Sequence, residues 1–528
     1  MKLSPEITEI TPEWEILLRQ IGLPLEKTDA DEPLDPAKIA VLIVSNRQPV
    51  SAARQRIRDY VEGGGAALIE ADLAKTIFGT ATRRRFIKYL NPADEALFAG
   101  AGLCDLPPAR RRVAQGAEYL PDQSGLKTLA AARVGKGTAL ILPAGFCAAL
   151  RSYQSRRKNF PGLAGERFPS ERVSRAARGS IRRIIQNALK YLYHSRGLPF
   201  LRLWPIPEGA ATAFGFRVDT DFGAREAVKE LYRVCRDYEI PAAWFVETQS
   251  CADWVEEYAA MQGQEIGYHC YRHRVFPDYR GNREDIEKGL AILRRAGIEP
   301  RGYAAPFGEW RPVLGKAVQD LGFQYSSEFA AGYDDLPFYP WLGERLAPEG
   351  DAFSTVLQVP IHPVSIGRLR VAGYREPEKM AEYYRQVIIE KIIQQEPVFF
   401  YHHPGHRHFE VIARVFQKIR ERNIPVLSPG EYARWWKKRG ALHWEAHFEN
   451  GQLKFASKGG DAPVWVCAAF PGGEIYLAPI AAKTFDQARR LDPPEEKSLL
   501  QRDARLLRKY HWRMLASDIL WAYGKWKR

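Results

Sequence analysis

Apolar positions fall in short blocks along the first 150 residues. Segment 39–44 (IAVLIV) is a continuous apolar run, as a parallel strand buried on both faces requires. Residues 50–61 follow with helical spacing and stop at Gly63-Gly64-Gly65, and 66–71 (AALIEA) and 135–143 (GKGTALILP) are further strands. This alternation predicts an open α/β sheet over 1–150. From 210 the alternation resumes. Strand-like runs at 212–218, 242–246, 356–359 and 398–401 are separated by helical stretches at 224–238, 283–296 and 376–394. A β/α repeat of this length predicts a distorted (β/α) barrel of about seven strands over 210–437.

The intervening 151–209 reads as a basic, surface-lying helical connector. Its helix, 173–193, carries Ile181, Ile184, Ile185, Ala188, Leu189 and Leu192 at helical spacing, and Pro199, Pro205 and Pro207 then extend the chain. After 440, short strand signals at 443–448, 453–456, 464–469 and 474–478, with Asn450-Gly451 as a turn, predict a small β module. A basic helical tail rich in Trp, Arg and Lys completes 440–528.

Composition adds charge to this outline. The 528 residues carry a formal net charge of +14, concentrated at 110–112, at 151–183 and in the tail. Such a surface suits polyanions or peripheral contact with an anionic membrane face, but no nucleic-acid motif accompanies it, so no specific nucleic-acid partner is expected. The six cysteines include no CxxC pair, which excludes a disulfide framework. Residues 1–6 lack a basic region followed by an apolar stretch, and no apolar run reaches the length of a membrane span. The expected location is cytoplasmic.

Chemistry concentrates in the barrel segment, where seven of the eleven histidines lie between His269 and His408. Arg217, Asp219 and Asp221 alternate at a strand end and share a face if the strand stays extended. Two carboxylates this close repel unless a cation intervenes, leaving one as ligand and the other as base. His269 and His273, four apart, can present two nitrogens to one metal. The strand 398–401 delivers His402, His403 and His406 at its C-terminal end, where barrel active sites are built. Residues 302–310 (GYAAPFGEW) form a Pro/Gly turn.

Together these motifs resemble the polysaccharide deacetylase family, carbohydrate esterase family 4 with its NodB-homology domain, over about 210–436. The resemblance implies Asp219 as catalytic base and Asp221, His269 and His273 as ligands of a divalent metal. Zn²⁺ is the expected ion, with Co²⁺, Mn²⁺ or Ni²⁺ as alternatives. It implies the Phe307 N–H as an oxyanion donor, His403 as general acid, and an N-acetylated carbohydrate or glycan precursor as substrate. The family's motif arginine is missing, with Ala304 and Ala305 in its place. Arg217 either supplies that guanidinium to Asp219 or forms an ion pair for stability alone. Trp310, with Phe329, Tyr333, Phe338 and Trp341, is expected at a sugar-stacking rim. His362 is a weaker candidate for the mouth, and His402, His406 and His408 are expected to finish the turn. The first 150 residues, flavodoxin-like in pattern, resemble the class I glutamine amidotransferase-like fold. They have no cysteine at a nucleophile elbow and are expected to be non-catalytic. Hydrolysis of ureides or other amides on the same barrel, and a degenerate carbohydrate-binding scaffold, are the competing readings.

Overall fold

The computed structural model describes all residues except 29–31, 46–48, 93–94, 347–351, 450, 459–462, 487, 493, 510–511, 513, 517 and 521–528. The N-terminal part is built from β1 (Glu6–Ile7), α1 (Pro12–Ile21), β2 (Glu26–Lys27), β3 (Leu42–Val44), α2 (Ser51–Glu62), β4 (Ala66–Glu70) and α3 (Ala71–Phe78). The ribbon strands β5 (Thr82–Leu90) and β6 (Cys104–Ala114) come next, then β7 (Tyr119–Pro121), β8 (Lys127–Val134) and β9 (Gly137–Leu142). The sheet order is β2-β1-β3-β4-β9-β8-β7. The first five strands are parallel, and at one edge the β9–β8 and β8–β7 pairings are antiparallel. The GKG turn has a packing reason. Lys136 N–H donates to Glu62 O (2.9 Å), and a Cβ on Gly137 would stand 2.0 Å from Val61 O, so only glycine lets β9 pass the end of α2.

The basic segment 151–209 is not a surface-lying connector. It holds a hairpin, β10 (Ser155–Asn159) with β11 (Ser170–Ser174), a long helix α4 (Arg178–His194), and β12 (Phe200–Leu203). The predicted apolar face of α4 is fully buried, and Arg178 and Arg182 are buried with it. Buried guanidinium groups must be paired. Arg182 Nε donates to Asp335 Oδ1 (2.8 Å) and its other end meets Glu396, while Arg183 (2.8 Å) and Lys391 (2.7 Å) also reach Glu396. Gln20 of α1 donates to Asp335 Oδ2 (2.9 Å), so three parts of the chain share one buried charge cluster.

The third part contains β13 (Phe214–Asp219), α5 (Arg225–Asp237), β14 (Ala243–Glu247), α6 (Glu256–Ala259), β15 (Glu265–Cys270), α7 (Tyr279–Arg295) and β16 (Gly302–Tyr303). It continues through α8 (Pro312–Asp320), β17 (Tyr325–Ser326), β18 (Leu357–Gln358), α9 (Ile366–Ala372), α10 (Pro377–Gln394), β19 (Val398–His402), α11 (Phe409–Glu421) and α12 (Pro429–Ala441). These form a curled seven-stranded parallel sheet, β18-β17-β16-β15-β14-β13-β19. It is a half-barrel and not a continuous ring: β18 and β19 are not paired as strands, and one bond, His362 N–H to Phe399 O (2.8 Å), crosses near the gap. Helices cover the outside through apolar faces such as Ala227, Val228, Leu231 and Cys235 of α5. All seven strands open their C-terminal ends to one mouth.

The C-terminal β module is not self-contained. The hairpin β20 (His443–Glu449) and β21 (Gln452–Lys458) pairs with the chain start through Leu3 N–H to Ala446 O (2.8 Å). Asn450 of the expected turn lies outside the described residues; Gly451 has φ +76°. Strands β22 (Trp465–Ala469), β23 (Ile475–Pro479) and β24 (Arg489–Arg490) form a sheet completed by β12 of the supposed connector. A short helix, α13 (Ala504–Leu507), opens the tail. Asp518 of the tail binds Arg157 Nε (2.6 Å) and Arg172 Nη2 (3.5 Å) of the β10–β11 hairpin. Among the described residues, no helix is long and apolar enough to cross a membrane.

Glu396 offers a test of this interlocking. Burial raises its pKa, but Arg183, Lys391 and Arg182 outweigh that and hold the carboxyl below the usual range. A depressed folded pKa stabilises above the unfolded value, and that stabilisation is lost as pH falls. Glu396→Gln is expected to lower the unfolding free energy by about 3 kcal/mol at about pH 7, and the difference from the parent to shrink below about pH 4. Urea titrations across pH measure both.

Candidate metal centre and active-site cleft

β13 places the first pair. Arg217 and Asp219 lie on one strand face, and the buried guanidinium grips the carboxylate through both oxygens, Nε to Oδ1 at 2.5 Å and Nη2 to Oδ2 at 2.6 Å. Arg217 Nη1 also donates to Ser327 O, and the group lies over the rings of Phe245 (5.1 Å) and Tyr401 (5.8 Å). The strand ends at Asp219, so Asp221 does not continue its face as an extended strand would place it. A tight turn, Gly223 N–H to Thr220 O (2.6 Å), redirects it, and Thr220 is held because its Oγ1 accepts from Glu247 N–H (2.8 Å).

Two imidazoles converge on Asp221. His269, near the end of β15, brings Nε2 to 2.8 Å from Asp221 Oδ1, and His273, in the loop beyond, stands 3.4 Å from Oδ2. His269 Nδ1 contacts Ala304 O at 2.6 Å, which fixes the ring with Nε2 facing inward. His273 is wedged edge-on against Phe307 (ring centroids 4.5 Å apart) and Phe222 (5.6 Å). His403, just past β19, brings Nε2 to 3.3 Å from Asp221 Oδ2. Burial raises the Asp221 pKa, but His403 and His269 outweigh it and hold the carboxyl well below the usual range. Burial lowers the His269 pKa, and Asp221 more than offsets this.

These residues fit a divalent cation. One ligand atom each from Asp221, His269 and His273 lies within 4.8 Å of the others, the one such group among the described residues. Asp221 Oδ1, His269 Nε2 and His273 Nε2 are buried, and none makes a hydrogen bond of acceptable geometry despite the short separations. A carboxylate and two imidazoles directed at one point form a typical transition-metal donor set, and they leave positions open.

The centre lies in a cleft of about 900 Å³, walled by Asp219, Phe307, Phe329, Tyr401 and His406 among others. Phe307 takes φ +59° in the 306–308 turn and is 38% exposed at the mouth, and Phe222, the other ring against His273, is 57% exposed. Trp310 is not in the cleft. It is buried against Tyr153 (4.2 Å) with Ile16, Ala330, Phe338 and Leu342, because a large apolar ring gains more from the core than from a wet rim. Phe338 shares that core and Tyr333 packs on Phe160 (5.4 Å), so of the expected aromatic rim only Phe329 lines the cleft.

The remaining histidines divide by burial. His402 is buried and its Nε2 contacts Arg407 O (2.9 Å), so it finishes the turn; His408 contacts Glu410 (3.1 Å). His406 lines the cleft instead, 4.6 Å from His403 between ring centroids, and burial and His403 push its pKa down to about 3. His362 contacts Tyr383 OH (3.1 Å) behind β19 and is not among the cleft residues.

Two features had no motif to announce them. Arg157, Glu171 and Arg172 of the β10–β11 hairpin, with Leu520 of the tail, form one wall of the cleft, and only the basic density of 151–183 pointed there. Glu328 is fully buried behind Arg217 and accepts from Ala305 N–H (3.1 Å), steadying the turn that presents Phe307. Burial pushes its carboxyl up to about 7, against the opposing pull of Ser326 and Arg217.

Residues 219–326 match the polysaccharide deacetylase family. None of the curated proteins matches the chain. Among solved structures, the fold is similar to a putative polysaccharide deacetylase from Mycobacterium smegmatis, at 18% identity over 44% of this chain and 92% of that one, with a TM-score of 0.37. It is similar to a probable polysaccharide deacetylase from Pseudomonas aeruginosa PAO1, at 18% identity over 43% and 91%, TM-score 0.36. It is also similar to a CE4 family pseudoenzyme from Bacillus anthracis, at 13% identity over 42% and 65%, TM-score 0.30.

Two outcomes test the site. Metal-stripped protein should gain thermal stability when Zn²⁺ is added, and Asp221→Asn and His269→Ala should lose both that gain and the bound metal by elemental analysis. For Glu328, the folded chain holds a proton up to about pH 7 that the unfolded chain releases near its ordinary value. Stability therefore falls as pH rises through that window. Glu328→Gln keeps the acceptor for Ala305 and is expected to exceed the parent by about 3 kcal/mol at about pH 8, with the gap closing below about pH 4.5. Denaturant titrations at both ends of the window measure it.

Proposed function

We propose that this chain is a metal-dependent hydrolase that removes acetyl groups from an N-acetylated amino sugar or glycan precursor. The observation that carries the reading is the convergence of Asp221, His269 and His273 beside an Asp219 locked by Arg217, inside the stretch that matches the polysaccharide deacetylase family. A divalent cation held by Asp221, His269 and His273, most suitably Zn²⁺, supplies Lewis-acid polarisation of the acyl carbonyl and lowers the pKa of water.

The chain's own residues supply the rest. Asp219, its two oxygens fixed by Arg217, stands at the cleft as the base that takes a proton from water. The backbone N–H of Phe307, in a turn steadied by Glu328, donates to the developing oxyanion. His403 lies across Asp221 from His269 and protonates the leaving amine. Phe222 and Phe307 give the mouth an apolar lip that excludes water around the acetyl methyl.

The cleft also carries five arginines. Glu171 pairs with Arg368, and Asp518 with Arg157 and Arg172, while Arg311 stands exposed at the rim. This favours an acetylated sugar bearing an anionic group, such as a nucleotide- or lipid-linked precursor, over a neutral polymer.

Purified protein loaded with Zn²⁺ is expected to release acetate, measured enzymatically, faster from a nucleotide-linked N-acetyl amino sugar than from a neutral N-acetylated oligosaccharide. Asp219→Asn should retain the metal and lose about 10³-fold in kcat. Arg217→Lys, which cannot keep the two-pronged grip, should lower kcat with little change in KM. Metal-loaded protein that releases ammonia or ureide products instead would transfer the barrel to another amide; one that releases nothing would make it a binding scaffold.

A further inference from the structure

The N-terminal sheet contains a second cavity that the deacetylase reading does not use. Its five parallel strands stand in the order β2-β1-β3-β4-β9, so the connections from β1 (to β2) and from β3 (to β4) leave in opposite directions. In open α/β sheets the crevice beyond the C-terminal strand ends at such a reversal is where ligands bind. A cavity of about 710 Å³ lies there, bounded by Thr11 after β1, Ser45 after β3, Asp72 after β4 and Gly145 after β9. That volume suits a small organic ligand.

The wall opposite the sheet is cationic. In the β5–β6 ribbon Arg84 is directly across from Arg112, and Arg110 lies two residues along on the same face. Like charges in facing positions repel, and an anion between them turns that repulsion into binding. Asp72 pairs with Arg112, which leaves Arg84 and Arg110 exposed. Two buried polar atoms on lining residues have no partner. Arg111 is 8% exposed and gives Nη1 to Ala144 O (3.2 Å) and Gly145 O (2.5 Å), but its Nε has no partner. Thr11 Oγ1, at the N-terminus of the ten-residue α1, is buried, caps nothing and has no partner. The helix end itself favours an anion, and the buried carboxylate of Glu13 in its first turn, which also lines the cavity, is already paired with Arg151 Nε (3.3 Å). Glu70 and Asp72 bring acceptors to the same cavity, suited to ligand hydroxyls. Among the described residues, the lining includes no cysteine or histidine.

We propose that this cavity is a binding site for an organic phosphate of nucleotide size, its phosphoryl group held by Arg84, Arg110, the Arg111 Nε and the N-terminus of α1, and its hydroxyls by the carboxylates. The site is separate from the barrel cleft and does not depend on the deacetylase reading.

Calorimetric titration of the full-length protein with UDP, inorganic pyrophosphate and inorganic phosphate tests it. UDP should bind saturably and raise the melting temperature. The Arg84→Ala/Arg110→Ala double variant, both exposed positions, should weaken UDP at least about tenfold. Thr11→Val should weaken it less, and Arg311→Ala, which weakens any UDP held in the barrel cleft, should leave intact the binding component that the double variant loses. Pyrophosphate binding as tightly as UDP would show that the site reads the anion alone and would overturn the nucleotide-sized class. UDP binding lost in Arg311→Ala and kept in the double variant would move the anion to the barrel. The absence of saturable binding by any probe would overturn the site altogether.

Discussion

The grip of Arg217 on Asp219 is the constraint around which the barrel mouth is arranged. A guanidinium with no exposed surface is expensive to bury unless its donors are used, and here they reach Asp219 twice and Ser327 O once. The pair adds little net stability, because desolvation offsets much of the attraction. What it does is geometric. Two parallel hydrogen bonds allow Asp219 one orientation, and the third ties β13 to the segment after β17, across the sheet. Glu328, next but one after Ser326, feels the same cation and holds Ala305. Asp219, the guanidinium and the turn that carries Phe307 are therefore joined through shared contacts.

Asp221 is set apart from that joined group. Had the strand continued, its carboxylate would have shared the Arg217 face and competed for the same donors. The break after Asp219 instead hands it to His269, His273 and His403, which approach from two other strand ends. Each ring is oriented by a contact of its own: His269 by a backbone carbonyl, His273 by two phenylalanines, His403 by Tyr401 and His406. The mouth thus separates two carboxylates two residues apart into one bound to an arginine and one facing imidazoles.

Much of this was legible in the chain because it is local. Arg217, Asp219 and Asp221 lie within five residues, and strand alternation alone pairs the first two. The parallel strands of the barrel were legible because apolar runs repeat at a β/α spacing. Trp310 was not, since nothing local distinguishes a ring on a rim from a ring in a core; its partners Ile16 and Tyr153 come from distant segments. Glu328 was missed for the same reason: its importance comes from Arg217, over a hundred residues earlier. The strand β12 was hidden because its partner β22 is more than 260 residues away, so no periodicity announces it.

Net charge misled most, and the reason is instructive. A balance of +14 suggests a cationic surface, yet Arg178, Arg182, Arg217 and Arg439 are among the most buried residues in the protein. Arg439 donates to the carbonyls of Trp204, Leu203, Arg19 and Gln20, and burial lowers its pKa to about 9. Here arginine serves as an internal fastener, because its five donors can satisfy carbonyls and carboxylates from several segments at once. Joining the N-terminal sheet, the half-barrel and the β module this way lets the β10–β11 hairpin and the tail form one wall of the cleft. Part of the charge that is not buried lines two concave places, the barrel mouth and the crevice of the N-terminal sheet, where low-dielectric walls strengthen its pull on an anion.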